Sequence, residues 1–62
     1  MSGVFIVRRN TRKNGVLYLG HRGWTKDRDH RARLFFDRDA AENAARDAQL
    51  PPWSVWTIEQ LA

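Results

Sequence analysis

The residues with the most capacity for chemistry lie between Gly20 and His30, in GHRGWTKDRDH. Asp27, Asp29 and His30 have the types that hold a divalent ion. A zinc centre needs more ligands than His21 and His30 supply, and the chain has no cysteine thiolate to add. A calcium loop needs a glycine at a fixed place after its aspartates and a distal glutamate, and the residues from Asp27 onward supply neither. A nucleophilic triad would draw on Ser2 or Ser54, one near a terminus and the other beside a turn. Gly15, Gly20 and Gly23 precede no helix, so none starts a phosphate-cradling loop. One catalytic arrangement is left. Small basic toxins cleave RNA with a histidine as acid or base beside cations, and His21 stands next to Arg22 and near Trp24. No cofactor is expected, and we read the chain as a binding protein rather than an enzyme.

Charge placement carries more of the functional reading. The net charge is +4. Residues 1–33 hold nine Lys/Arg against two Asp, a balance of +7, and residues 34–62 hold two Arg against five Asp/Glu, a balance of −3. This asymmetry implies a basic side that meets an anionic partner. It also serves solubility or contact between copies. The expected binding residues are Arg8, Arg9, Arg12, Lys13, Arg22 and Lys26, with Trp24 and Trp53 as aromatic contacts and Tyr18 as a further stacking surface. Cations interleaved with aromatic rings suit nucleic acid, through phosphates and stacked bases. The acidic helix is a poor guest in a major groove.

These residues must be positioned by a small scaffold. At 62 residues the chain makes a single domain, 1–62, with a thin core and marginal stability. Without disulfides or metal, the aromatic residues must supply that core, and self-association is a second means of stabilising it. The apolar run Val4–Val7 is too short for a signal peptide, and no run approaches the roughly 18 residues of a membrane span. The expectation is a cytoplasmic protein.

The best-marked stretch is Arg31–Ala48. Ala32–Phe36 reads as a strand. A helix follows, capped by Asp37 or by Asp39; with Asp39 as the cap, Glu42 completes a capping box. Ala41, Ala44, Ala45 and Ala48 share one helical face, which lets the helix sit close to a sheet. On that packing, Ala44→Leu should overfill the core. Glu42 and Arg46 pair on the other side. Pro51 and Pro52 stop the helix.

Before this stretch, Val4–Val7 reads as a strand running into Arg8 and Arg9. Asn14-Gly15 marks a hairpin, since both residues tolerate positive φ, and Val16–Leu19 is the return strand. Gly20–His30 reads as a loop with Trp24 plugging the core from the side. After the helix, Trp53–Ile58 is the last strand, with Trp56 and Ile58 inward, Trp53 outward and the tail beyond Glu59 frayed. The expected fold class is α+β: a small antiparallel sheet, elements in the order β-β-β-α-β, with one helix on one face.

In layout the chain resembles small accessory proteins of phages and mobile elements. The features that carry this are VFIVRR, then N-G, LYL, GWT, ARLF, an Asp-led Ala/Glu-rich helix and a final strand, spanning roughly Val4 to Ile58. Some proteins of this kind are stoichiometric inhibitors of host enzymes or defence complexes, anti-CRISPR proteins among them. The resemblance implies a non-enzymatic protein that works by occupying a surface on a protein or ribonucleoprotein complex. It assigns no functional residue.

Overall fold

The structure is a computed structural model and describes residues 3–61. Phe5–Thr11 forms β1, rich in β-branched and aromatic residues that suit a half-buried pleated surface. Gly15–Gly20 returns antiparallel beside it as β2. Residues 12–14 turn between them, and Gly15 follows at φ 71°. Of Asn14 and Gly15, which both tolerate positive φ, only Gly15 adopts it. This is a three-residue hairpin loop followed by a left-handed glycine. Thr11 Oγ1 closes it, accepting from the Asn14 N–H at 3.0 Å and donating to the Gly15 carbonyl at 2.8 Å.

A second hairpin follows where a loop was expected. Gly23–Thr25 is β3, paired with β2 through Leu19↔Trp24 and Gly20↔Gly23. Gly23 reverses the chain at φ 118°. Three residues are too few to show a period of two, so composition alone gave no strand signal here.

The strand expected at Ala32–Phe36 is the main correction. These residues form a wedge held by two isolated bridges, Gly20↔Ala32 and Phe5↔Phe35. The pairing of β1 with β2 stops at Arg8↔Tyr18. Beyond that point the Arg33 N–H donates to the Leu19 carbonyl at 2.8 Å, and Phe5 and Phe35 exchange two bonds at 2.7 and 2.8 Å. Phe35 is buried, while Leu34 and Phe36 face out. The element order β-β-β-α-β holds, with Gly23–Thr25 as the third strand.

The helix α1 spans Arg38–Asp47. Its cap is Asp37, whose side chain accepts from the Asp39 N–H at 3.1 Å. The Asp39–Glu42 box therefore does not form; Glu42 instead meets Arg38 at 3.4 Å and Arg46 at 3.9 Å. Ala41 and Ala45 are buried to 0 and 1 % exposure, and Ala44 is half-buried. The small face lets α1 lie against β1 and the last strand.

That strand, β4, spans Val55–Gln60 and pairs antiparallel with β1 through Val7↔Ile58 and Arg9↔Trp56. Trp53 falls outside it, in a turn closed by the Ser54 N–H on the Pro51 carbonyl at 2.9 Å. The chain end expected to fray is held: the Leu61 N–H donates to the Val4 carbonyl at 2.7 Å.

The sheet order is β3-β2-β1-β4, one antiparallel sheet with one helix, an α+β fold. Val7, Phe35, Ala41 and Ala45 form the core, with Leu19, Trp24, Trp56 and Ile58 packed against it. Trp56 and Ile58 point inward, as expected from sequence. No helix among the described residues is long and apolar enough to cross a membrane.

Candidate functional site

Pairing register distributes the basic residues, because alternate residues of a strand point to opposite faces. Arg9 lies on the helix side of β1, in register with Leu17 and Trp56. Its guanidinium reaches sideways over the Trp24 ring, 5.5 Å from the centroid. Arg8 points to the opposite face, where it meets Glu59 at 3.5 Å; Arg28 meets the same carboxylate at 3.1 Å.

The eight binding residues expected from sequence therefore do not form one surface. Arg9, Arg12, Lys13 and Trp53 come together. They line a groove at the β1–β2 hairpin tip, with Thr11, Leu17, Ser54 and Val55 completing its walls. The proline-led turn delivers Trp53 to this groove 81 % exposed. Arg22 and Trp24 line a separate cavity at the other end of β2, with His21, His30 and Arg31. Arg8 lies on the far face, where it shares Glu59 with Arg28, and Lys26 lines neither hollow.

Ion pairing sharpens the contrast. Arg8, Arg28, Arg38 and Arg46 have carboxylate partners within 4.0 Å. Among the described residues no carboxylate lies within that distance of Arg9, Arg12, Lys13, Arg22, Lys26, Arg31 or Arg33, and all seven lie in the first 33 residues. Two atoms of the hairpin groove, Arg9 Nε and Ser54 Oγ, are also buried with no hydrogen-bond partner among the described residues. Buried polar atoms are normally satisfied, so these two are weak points of the packing rather than contacts offered to solvent. Sequence reading missed Ser54, whose place beside Arg9 depends on a turn 45 residues away.

The second cavity is differently built. Asp27 Oδ1 accepts from the His30 N–H at 3.1 Å and lies 3.3 Å from the His30 ring Nδ1. Desolvation pushes the Asp27 carboxyl up, but the His30 N–H, the His30 ring and the Asp29 N–H outweigh it and hold it below its ordinary value. Asp29 turns away to Arg28, at 3.5 Å. Among the described residues no three His, Asp or Glu side chains converge as a metal site. His21 lines this cavity beside Arg22.

The hairpin groove can therefore receive an anionic group beside a flat aromatic surface. No family model, curated protein or solved structure matches the chain.

Proposed function

We propose that this protein is a non-enzymatic binding module of the phage or mobile-element kind. It acts stoichiometrically on a host or defence complex through its hairpin groove. The observation that carries this reading is the meeting of exposed Trp53 with Arg9, Arg12 and Lys13, three cations with no carboxylate partner among the described residues. Trp and Arg are the side chains that most often dominate protein interfaces. Unpaired cations around the indole select an acidic surface and speed encounter with it. Capture from host lysate tests this with the wild type, Trp53→Ala and the double variant Arg12→Glu/Lys13→Glu. The expected result is one complex retained at fixed stoichiometry by the wild type and lost by both variants while their circular dichroism is unchanged. Retention by both variants would refute the groove as the contact.

A second reading, single-stranded nucleic acid, is favoured by the same indole beside Arg12 and Lys13: a base stacks on Trp53 while the cations take phosphates. Fluorescence anisotropy with labelled RNA and DNA decides it. Binding should weaken with salt at a log–log slope of roughly −0.7 to −0.9 per phosphate contact. No binding at low salt removes this reading.

A further inference from the structure

We infer that the outer edge of β4 is a self-pairing surface, on which a second copy of this chain adds its own β4 antiparallel to form a continuous eight-stranded sheet. The direction of each backbone group in β4 follows from two bonds at the edges of the ladder. The Leu61 N–H bonds to the Val4 carbonyl, while Phe5 turns its own N–H and carbonyl away from β4 to Phe35. Hydrogen-bonded and non-bonded pairs alternate along an antiparallel ladder. Ile6↔Glu59, Arg8↔Thr57 and Asn10↔Val55 are therefore the bonded pairs of β1 with β4. Trp56 and Ile58 lie between them, so their N–H and carbonyl groups point outward. β4 is the last strand of the sheet, and among the described residues no recorded bond reaches those four groups.

Natural sheets guard such edges with lysine, proline, bulges or very short strands. The opposite edge is guarded in this way, since β3 is three residues long. By contrast β4 has six residues, VWTIEQ, without lysine or proline. Its one charge, Glu59, is engaged by Arg8 and Arg28 of the same chain. The strand is also bordered by exposed apolar side chains: Trp53 at 81 %, Val55 at 63 % and Leu61 at 41 %.

The occupant follows from self-complementarity. A two-fold axis through Thr57, perpendicular to the sheet, sets Trp56 opposite Ile58 of the second copy and the reverse. Those are the two residues whose bonding groups face outward, so the pairs exchange four backbone bonds. Like faces then join. Trp56 and Ile58 sit beside each other on the helix side, and both helices lie on one face of the extended sheet. Thr57 meets Thr57 of the second copy, a favourable cross-strand pair. The same register carries Trp53 of one copy toward Leu61 of the other. The contact is isologous, the commonest kind in small oligomers.

Sedimentation of the full chain between about 1 and 100 µM tests the inference. Dimers are expected at the upper end. Thr57→Lys puts two like charges on the axis and should weaken association on the order of 10-fold. An equimolar mixture with Thr57→Glu should restore it. Thr57 borders Arg8, so a second probe spares the side chains: a synthetic chain with an N-methyl group on the Ile58 backbone nitrogen, which removes an outward donor and leaves the β1 ladder intact. It should be monomeric with an unchanged circular dichroism spectrum. A wild type that stays monomeric at about 100 µM overturns the proposal, as do dimers that tolerate both Thr57→Lys and N-methylation. Thr57 lines no part of the hairpin groove, so the Thr57 and N-methyl variants probe the edge without altering a groove residue, although Trp53 and Val55 border both surfaces.

Discussion

The Arg9 guanidinium carbon stands 5.5 Å from the centroid of the Trp24 ring, on the half of the sheet face beside the helix. α1 lies on β1 and β4, and over β2 and β3 the arginine stem and head serve as cover. A cation over an indole contributes about 0.5–1 kcal/mol at such a partly exposed site. A double-mutant cycle with Arg9→Ala and Trp24→Leu should return a coupling of about that size by urea denaturation. Zero coupling would mean that Arg9 covers Trp24 without interacting with it.

The two kinds of alanine on α1 should respond oppositely to enlargement. Ala45 is 1 % exposed within the core, so Ala45→Leu should cost about 1–3 kcal/mol through overpacking. Ala44 instead borders an open cleft with Leu19, Arg33 and Phe35. Ala44→Leu should be near neutral, because the added carbons enter that cleft. This reverses the sequence expectation of overpacking at Ala44. Thermal melts suffice, since about 1 kcal/mol moves the midpoint of so small a domain by roughly 4–8 °C.

Gly20 holds the wedge in place. A Cβ there would stand 2.7 Å from the Arg31 carbonyl oxygen, a backbone atom. Gly20→Ala should therefore lower stability by about 1–3 kcal/mol. Amide exchange should rise at Arg33 and Phe35, whose bonds to Leu19 and Phe5 depend on the same approach. Uniform exchange across the sheet would argue for general rather than local loosening.

Asp27 sets part of the acid limit. Its carboxyl is held below the ordinary value in the folded chain. Its contribution is therefore present above the unfolded-state value and is lost as pH falls through the lower folded-state value. Below about pH 4, Asp27→Asn should show a shallower loss of stability than the wild type, because asparagine keeps the acceptor for the His30 N–H without the titration. Parallel acid profiles would refute this.

Much of the fold is local and could be read directly. The turn residues around Gly15 set the first hairpin and the alanine spacing set the buried face of α1, whereas the helix expected to stop at the prolines ends earlier, at Asp47, with Gln49 in the left-handed region at φ 54°. Within Trp53–Ile58 each face carries a tryptophan, so alternation favoured Trp56 and Ile58 as inward without deciding it, and they are the ones packed on the core. The hairpin and the helix face follow from the conformational preferences of neighbouring residues. The third strand did not, because Gly23–Thr25 is defined by its partner β2 rather than by any period of its own. Ala32–Phe36 has the composition of a strand, yet the diverging ends of β1 and β2 turned it into a wedge. The choice of Asp37 over Asp39 as cap rested on where that wedge released the chain. The binding residues were legible as a set of types, but not as a site. A carboxylate 51 residues away meets Arg8 on the far face, while the Pro51–Ser54 turn brings Trp53 to Arg12 and Lys13. Side-chain types and short spacings belong to the sequence; which charge meets which depends on strand pairing between distant segments, and only the tertiary structure decides it.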